Sequence, residues 1–248
     1  MPQPKILITG AASGIGRAVA ELFAAKSFEL VLVDHAALTG IGAEHPQIVK
    51  LQGDVADESF WQAYGSALAD LTHAVVNAGI SSGGPIDTLE FAEWRRVMSV
   101  NLDGAFLTLR AALKAMKASS GPRAIVVTAS VAGIKPEPGV AAYGASKAAV
   151  IQLARVAAKE VAGDGIRVNA IAPGGVDTPI WDELPFFEQL VTSEGSREAA
   201  MAAMAKMATP LGRYATAEEI AAQIAFLLSD DAATITGTVL TSDGGYSL

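Results

Sequence analysis

The segment AAYGASKAA, residues 141–149, contains a phenol and an amine at a spacing that matters for proton transfer. Tyr143 and Lys147 are four residues apart, so their side chains would lie on the same face of a helix. An ammonium group close to a phenol favours the phenolate, so we expect Lys147 to lower the pKa of Tyr143 from its ordinary value of about 10. The pair is a candidate acid and base for an alcohol oxygen. The alternative is a packed tyrosine beside a surface lysine.

A glycine-rich segment near the start of the chain, KILITGAASGIGRAVAELFA, predicts a strand, a tight turn and a helix. Gly10, Gly14 and Gly16 lie in the turn, where glycine permits a sharp bend, backbone approach to a phosphate and close contact between helix and strand. The N–H groups at the start of the helix attract a pyrophosphate. The spacing G-x-x-x-G-x-G departs from G-x-G-x-x-G, and no Gly-Lys-Ser/Thr follows. The segment predicts a dinucleotide site, with a turn that binds no ligand as the alternative.

Asp34 ends the second predicted strand, eighteen residues after Gly16. A carboxylate at this position accepts hydrogen bonds from an adenosine ribose and repels a 2′-phosphate. No arginine follows it directly, so NAD(H) is favoured over NADP(H), although the Arg17 guanidinium beyond the turn could reach a phosphate. The alternative is a loop carboxylate that caps the next helix.

Strand-like and helix-like segments alternate along almost the whole chain, which is typical of a parallel sheet covered on both faces. We therefore predict an α/β fold with a single doubly wound, Rossmann-type domain over residues 1–248. It has a seven-stranded parallel sheet with helices on both faces, and a helical substrate lid inserted at about 179–213. The predicted strands cover 5–10, 29–34, 48–55, 73–79, 123–130, 166–174 and 237–245, and the predicted helices cover 15–26, 58–70, 91–118, 143–162 and 217–228.

The composition disfavours several classes of function. The chain has 248 residues, 51% of them hydrophobic, and its formal net charge of −8 argues against nucleic acid or an anionic membrane as a partner. It has no cysteine, and His35, His45 and His73 form no H-x-x-x-H or H-E-x-x-H pattern, so we expect no metal site. No apolar run is long enough to cross a bilayer and the first ten residues lack a signal-peptide pattern, so we expect a cytoplasmic protein.

Further motifs follow the glycine turn in a recognisable order: GDV at 53–55, NAG at 77–79, VNLDG, TASVAG, YGASK, NAIAPGGVDT and TSDGG. Together with TGAASGIG, they resemble the short-chain dehydrogenase/reductase family over nearly the full chain. Ser130 lies thirteen residues before Tyr143, which strengthens the resemblance. Only twenty residues separate Asp34 from Asp54, so we expect a trimmed helix between the second and third strands.

The resemblance implies a catalytic set. Ser130 ends the fifth predicted strand, where its hydroxyl would bind the substrate oxygen and polarise a carbonyl. The resemblance also implies that Lys147 forms a hydrogen bond to the nicotinamide ribose and that Asn101 holds a water beside Lys147. Tyr143 is the acid in ketone reduction and the base in alcohol oxidation. The expected catalytic residues are Asn101, Ser130, Tyr143 and Lys147.

The resemblance also implies a cofactor site. Asp54 and Val55 would contact the adenine, and Thr178 the nicotinamide amide or a phosphate, with backbone hydrogen bonds from Val176. The expected cofactor-binding residues are Gly10, Ser13, Gly14, Ile15, Gly16, Asp34, Asp54, Val55, Asn77, Ala78, Gly79, Tyr143, Lys147, Pro173, Gly174, Val176 and Thr178.

Substrate selectivity is expected from loop and lid residues, because doubly wound sheets bind ligands beyond the carboxyl ends of their strands. These candidates are Ser81, Ser82, Val131, Pro138, Gly175, Trp181, Leu184, Phe186 and Phe187. Their aromatic character and the methionines of the lid suggest an apolar, cyclic or aryl alcohol or ketone. The alternative is that these side chains only pack the lid onto the body or onto a neighbouring subunit.

Three functions remain open. The first is an NAD-dependent secondary-alcohol dehydrogenase or ketone reductase. The second is a 3-oxoacyl thioester reductase, against which Asp34 counts because such enzymes typically prefer NADP(H). The third is a cofactor-binding protein without catalysis. Small and apolar residues on the helices after Phe91 and Tyr143 predict self-association, and the resemblance suggests a homotetramer, with a homodimer as the smaller possibility.

Overall fold

The computed structural model describes residues 3–26, 28–42, 47–182 and 184–248. Its centre is a sheet of seven parallel strands in the order β3-β2-β1-β4-β5-β6-β9, with a separate two-stranded ladder of β7 and β8. The strands are β1 (Lys5–Thr9), β2 (Glu29–Asp34), β3 (Ile48–Gln52), β4 (His73–Val76), β5 (Arg123–Thr128), β6 (Ile166–Pro173), β7 (Val176–Asp177), β8 (Ala215–Thr216) and β9 (Val239–Ser242). The predicted seven-stranded parallel sheet is confirmed. The strand order reverses between β1 and β4, which is where such sheets bind ligands.

Alternate side chains of each central strand enter two different cores. On β1, Leu7 packs with one set of helices, whereas Ile6 and Ile8 pack with the other. This follows from the two-residue period of a strand with both faces covered. The helices are α1 (Gly14–Ala24), α2 (Glu58–Tyr64), α3 (Phe91–Met98), α4 (Gly104–Lys117), α5 (Ala141–Val161), α6 (Pro185–Glu194), α7 (Arg197–Ala208) and α8 (Ala217–Leu228). Helices α1 and α8 cover one face, and α2, α4 and α5 cover the other.

Three segments differ from the predicted pattern. The predicted helix over 91–118 is continuous but changes to a π-helix at Ser99–Asp103, around Asn101. The predicted helix over 58–70 ends as α2 at Tyr64 and continues only as a 3-10 turn, Gly65–Leu68. The described residues of the connection after β2, 35–42 and 47, contain no part of the trimmed helix that we expected there.

The predicted lid is helical and begins with a 3-10 turn at Pro179–Trp181, followed by α6 and α7. The short ladder of β7 and β8, which the sequence pattern did not predict, joins the two ends of the insertion. A small core of Phe187, Ala200 and Met201 holds α6 against α7. Met207 follows Met201 at a helical spacing in α7, but its side chain is 80% exposed. No helix in the described ranges is long and apolar enough to cross a membrane.

Candidate active site

A cleft of about 1190 Å³ opens at the carboxyl ends of the strands. Its turn end is formed by the glycine turn, the end of β2 and the segment 53–55. Its lid end is formed by the loops 80–84 and 137–140, the lid and the last residues of the chain. All the predicted site residues line this cleft except Gly16, Asn101 and Phe187. The fold therefore brings residues from seven of the eight motifs to one place.

The glycine turn is held by close backbone contacts. Gly10 has a positive φ of 67°, and a Cβ atom there would come within 2.9 Å of the Cα of Ala78. A Cβ on Gly16 would come within 2.0 Å of the Gly10 carbonyl oxygen, so Gly16 lies beneath the turn and outside the cleft lining. Asn77 donates from Nδ2 to the Thr9 carbonyl at 3.1 Å. Gly16 thus allows the helix to approach the strand closely, which is one of the roles predicted for the glycines of this turn.

Asp34 at the end of β2 is bound on both oxygens by the chain itself. Its Oδ2 accepts from the backbone N–H of Ala12 at 2.8 Å, and its Oδ1 from that of Ala36 at 2.8 Å. The carboxylate therefore fixes the glycine turn to β2, and it still lines the cleft with acceptor capacity to spare. Arg17 pairs with Glu21 at 2.8 Å and is outside the cleft lining. The cation that would favour a 2′-phosphate is thus paired with a carboxylate of its own helix.

The start of α1 suits a pyrophosphate. Ser13, Gly14 and Ile15 line the cleft where this 11-residue helix begins. Its first turn carries no acidic residue, and no side chain caps its free N–H groups. An anion is favoured at such a helix end by the unpaired N–H groups and by the helix dipole. The residues present therefore fit a dinucleotide.

Tyr143 lies in the first turn of α5, with its hydroxyl hydrogen-bonded to Ser130. Ser130 follows β5, is 8% exposed, and accepts at Oγ from the backbone N–H of Ala132 at 3.2 Å. Burial raises the pKa of Tyr143, and the hydrogen bond with Ser130 only partly opposes this. The expectation that Lys147 lowers the pKa of Tyr143 is therefore wrong for the chain on its own.

Lys147 is one turn further along α5, and its Nζ lies 5.6 Å from the centre of the Tyr143 ring. It is 4% exposed and donates to the Thr128 carbonyl at 3.0 Å. Burial lowers the pKa of Lys147 to about 8, because an ammonium is costly away from water. The amine is therefore mostly protonated at neutral pH.

Asn101 is buried behind the cleft and not in its lining. Its Oδ1 accepts from the N–H of Ile80 at 2.8 Å, and its Nδ2 donates to the Ile80 carbonyl at 2.9 Å and to Ser146 Oγ at 3.0 Å. Ser146 in turn donates to the Tyr143 carbonyl at 2.7 Å. The π-helix thus positions the Asn101 amide so that it binds both the loop after β4 and the N-terminal part of α5. A Cβ on Gly79 would lie 3.3 Å from Asn101 Oδ1 and 3.2 Å from Lys147 Nζ, so both groups border the same small space.

The lid reaches the cleft through the segment after β6. Trp181 donates from Nε1 to the Val176 carbonyl at 2.7 Å and stacks on Tyr214 with ring centres 5.8 Å apart. Arg197 of α7 binds Asp177 at 2.6 Å and Asp182 at 2.8 Å. These contacts fix the position of Thr178, whose methyl carbon would lie 3.2 Å from a Cβ on Gly14. The lid is therefore tied to the turn end as well as to its own core.

Phe187 is the one predicted pocket residue that faces away from the cleft. It is 1% exposed and lies in the small core of the lid, 5.8 Å below the Arg197 guanidinium. Its neighbour Phe186 is 51% exposed and lines the cleft. Adjacent helical residues point about 100° apart, so only one of the two can face the substrate side. The prediction for Phe187 is wrong, and its packing alternative holds at this position.

Several cleft residues were missed by the sequence reasoning. They include Arg96, Thr128, Glu137, Tyr214 and Tyr246. Glu137 carried a usable signal, since it is a charged residue in a loop just beyond β5, beside Pro138, which was predicted. Tyr246 and Tyr214 carried none, because their approach to the cleft depends on where β9 ends and where β8 begins.

The histidines do not gather into a metal site in the part of the chain that the structure describes. There, no three His, Cys, Asp or Glu side chains are close enough to hold an ion. His35 lines the turn end beside Asp34, and His73 is buried in β4, where burial lowers its pKa to about 4. His45 lies outside the described residues.

Known proteins resemble this chain over almost its whole length. Residues 10–247 match the family model described as Enoyl-(Acyl carrier protein) reductase. The chain is 38% identical to cis-4-hydroxycyclohexanecarboxylate dehydrogenase of Sinomonas cyclohexanicum, covering 97% of this chain and 95% of the relative. It is 36% identical to the 3-oxoacyl-[acyl-carrier-protein] reductase FabG of Thermotoga maritima, covering 96% of each.

A solved structure supports the same assignment. Levodione reductase of Leifsonia aquatica is 38% identical over 98% of this chain and 93% of the relative. The crystal structure of levodione reductase superposes with a TM-score of 0.86 at 36% identity, covering 98% of this chain and 97% of that one. A full-length match of sequence and fold together with the assembled cleft leads to one conclusion. This chain belongs to the short-chain dehydrogenase/reductase family of nicotinamide-dependent oxidoreductases.

Proposed function

We propose that this protein interconverts a cyclic secondary alcohol and its ketone with NAD(H), using Tyr143 as the acid and base. The observation that carries the proposal is the convergence of Tyr143, Ser130 and Lys147 in one cleft with the glycine turn. Such a set serves hydride transfer to a carbonyl, because the oxygen needs a proton donor and a hydrogen-bond partner while the carbon is reduced.

Each side chain has a defined task in this proposal. The Ser130 hydroxyl binds the substrate oxygen and polarises the carbonyl. The phenol of Tyr143 then gives its proton to the oxygen during reduction, and the raised pKa keeps the phenol protonated for this. In oxidation the phenolate takes the hydroxyl proton. When bound, the cofactor donates or accepts the hydride, and its oxidised ring adds a positive charge that favours the phenolate.

Lys147 assists proton transfer in this proposal, and Asn101 holds the geometry of the site. Lys147, with its pKa lowered to about 8, can lose and regain a proton near neutral pH more readily than an exposed lysine. Its amine also binds the cofactor ribose in this proposal. Asn101 holds the loop at Ile80 and the start of α5 in register, and its Oδ1 lies beside the space that a water next to Lys147 would occupy.

The preference for NAD(H) rests on Asp34. Its carboxylate lines the turn end, and two backbone N–H groups hold it there. A 2′-phosphate placed beside it meets a like charge, and like charges placed together in a binding site cost several kcal/mol. Arg17 pairs with Glu21 and does not offset this repulsion.

The substrate class rests on the lid end. Trp181, Leu184 and Phe186 line the cleft, and the stacked Trp181 and Tyr214 rings form a flat apolar wall. A flat ring buries more of its surface against such a wall than a flexible chain of the same size, and it loses less rotational freedom on binding. One of the similar proteins is named for a hydroxylated cyclohexane-ring substrate, which supports the same class.

The test is NAD⁺ reduction with a panel of cyclic secondary alcohols, followed by the absorbance of the reduced nicotinamide. We expect Tyr143→Phe to lower kcat by about 10²–10⁴-fold, because the acid and base are removed. Tyr64→Phe is the matched control, since Tyr64 is a half-exposed residue of α2 outside the cleft lining. We also expect NADP⁺ to give a kcat/KM at least tenfold below that of NAD⁺. Equal turnover by wild type and Tyr143→Phe would contradict the assignment.

A 3-oxoacyl thioester reductase is the second candidate, favoured by the similarity to FabG and by the matching family model. Acetoacetyl-CoA with NADH and with NADPH distinguishes the two. The proposal above predicts little activity with either, whereas efficient NADPH-dependent reduction supports the second candidate. A non-catalytic binding role is contradicted if the purified protein turns over any alcohol in the panel.

We further propose that the protein assembles as a homotetramer or homodimer through the outer faces of α4 and α5. Phe106 on α4 is 46% exposed and Val156 on α5 is 43% exposed. Apolar side chains on neighbouring helices are expected at subunit contacts. The mass of the protein in solution, measured by light scattering, tests this.

A further inference from the structure

A charged group at the lid end has no part in the hydride transfer described above. Glu137 lies in the loop between β5 and α5, is half-buried and lines the cleft. Its carboxylate accepts hydrogen bonds from the Tyr246 hydroxyl and pairs with Lys135 at 3.2 Å. Lys135 also lies 3.8 Å from the centre of the Tyr246 ring and donates to the Tyr246 carbonyl at 3.2 Å. Two side chains from distant parts of the chain, Lys135 and Tyr246, thus fix this carboxylate.

The loop that carries Glu137 is itself held firmly against the cleft. Gly84 donates its backbone N–H to the Gly139 carbonyl at 2.8 Å, which joins this loop to the one that follows β4. Six residues after Glu137 comes Tyr143, and the intervening Pro138, Gly139 and Val140 all line the cleft. The Glu137 carboxylate is therefore connected to the reacting phenol of Tyr143 by a segment that lines the cleft.

The carboxylate retains unused acceptor capacity. An ionised carboxyl group offers about four acceptor positions, and Lys135 and Tyr246 occupy two of them. The rest of the lid end is largely apolar, with Trp181 and Leu184 among its lining. A fixed carboxylate with free acceptor positions favours ligands that bring a donor, because a ligand without one displaces water from those positions and does not replace its hydrogen bonds.

We propose that Glu137 is a specificity-determining residue that accepts a hydrogen bond from a hydroxyl group of the substrate, at a carbon remote from the one that reacts. The substrate is then a cyclic diol or its hydroxyketone. This inference rests on the proposed function and narrows its substrate class. It also separates this protein from a dehydrogenase of ring carboxylates, because an acid would place a second carboxylate beside Glu137.

The experiment compares three alcohols with NAD⁺: cyclohexane-1,4-diol, cyclohexanol and 4-hydroxycyclohexanecarboxylate. For wild type we expect kcat/KM for the diol to exceed that for the other two by about tenfold to hundredfold, the range of a hydrogen bond to a charged group. In Glu137→Gln the ratio of diol to cyclohexanol should fall by at least tenfold. Tyr246→Phe should lower the same ratio by a smaller factor, because it frees the carboxylate without removing it.

Matched controls are Glu160→Gln, on the exposed side of α5, and Tyr64→Phe. Both should keep the wild-type ratio, and circular dichroism with cofactor titration shows whether each variant is folded. An unchanged ratio in Glu137→Gln, or a wild-type preference for cyclohexanol or the carboxylate, overturns this inference while the proposed function stands. No turnover of any alcohol by wild type overturns the proposed function, and the inference with it.

Discussion

The two ends of the cleft are built in different ways. At the turn end, backbone atoms form most of the contacts. Gly10 and Gly16 allow close approach, and Asp34 accepts hydrogen bonds from two backbone N–H groups. At the lid end, side chains hold one another: Trp181 stacks on Tyr214, and Arg197 binds two carboxylates. The first arrangement joins the glycine turn to Asp34 and to Ala78, whereas the contacts of the second lie within residues 177–214, the lid and its two ends.

This difference affects how each end tolerates change. A Cβ added to Gly10 or Gly16 would overlap neighbouring atoms, so the turn end is sensitive to single atoms. The lid contacts are partly exposed, and exposed ion pairs are individually weak. The turn end is thus suited to a cofactor of constant shape, and the lid end is suited to variation in substrate. Three substitutions test this contrast, from the largest expected effect to the smallest.

The largest effect is expected from Gly16→Ala. The new Cβ would meet the Gly10 carbonyl oxygen at 2.0 Å, so helix α1 must move away from β1. We expect a loss of at least about 3 kcal/mol of unfolding free energy, at the upper end of overpacking effects, together with loss of NAD⁺ binding. Urea denaturation and cofactor fluorescence titration measure the two.

The matched control for that substitution is Gly65→Ala. Gly65 has a helical φ of −55°, and a Cβ there meets nothing within 4 Å. We expect a gain of about 0.4–1 kcal/mol, because alanine restricts the unfolded chain. Similar stabilities of the two variants would contradict the view that the turn end is packed to its limit.

An intermediate effect is expected from Asp34→Ala. The loss of the carboxylate should lower the ratio of kcat/KM for NAD⁺ over NADP⁺ by about tenfold to hundredfold, equivalent to about 1.4–2.8 kcal/mol. Both values should also fall in absolute terms, since Ala12 and Ala36 lose their acceptor. Asp54→Ala is the comparison, because Asp54 also lines the turn end and accepts from a backbone N–H, that of Ala56. If both variants change the ratio equally, Asp34 does not select the cofactor.

The smallest effect is expected from Arg197→Ala at the lid end. It removes the bonds to Asp177, Asp182 and the Thr178 carbonyl. Since these groups are partly exposed, we expect about 1 kcal/mol of destabilisation and a rise of about threefold to tenfold in the alcohol KM, with kcat within about twofold. Steady-state kinetics and thermal melting measure both.

Arg110→Ala is the control for the lid substitution. Arg110 forms an exposed pair with Glu58 at 2.6 Å, remote from the cleft lining. A similar small loss of stability is expected without any change in KM. A large fall in kcat for Arg197→Ala would show instead that the lid takes part in the chemical step.

Local pattern was a sufficient guide wherever neighbours in sequence determine the outcome. The strands, the glycine turn, and the helix that presents Tyr143 and Lys147 were all predicted from spacing and composition. The π-helix at Asn101 was not, because it is stabilised by bonds to Ile80 and Ser146, 21 and 45 residues away. The prediction for Phe187 failed for the same reason, because its side chain is buried only where α6 packs on α7.

The sequence by itself determined the parallel sheet and the family, and it predicted the reacting side chains, because these depend on short periodic patterns and on residue types. Only the tertiary structure decided how those side chains are charged and what surrounds them. Burial, and not the neighbouring amine, dominates the pKa of Tyr143, and burial depends on the packing of the whole chain. The Glu137 carboxylate is hydrogen-bonded to Tyr246, which lies 109 residues further along the chain. This contact too depends on the whole fold, because the fold sets the positions of distant strand ends.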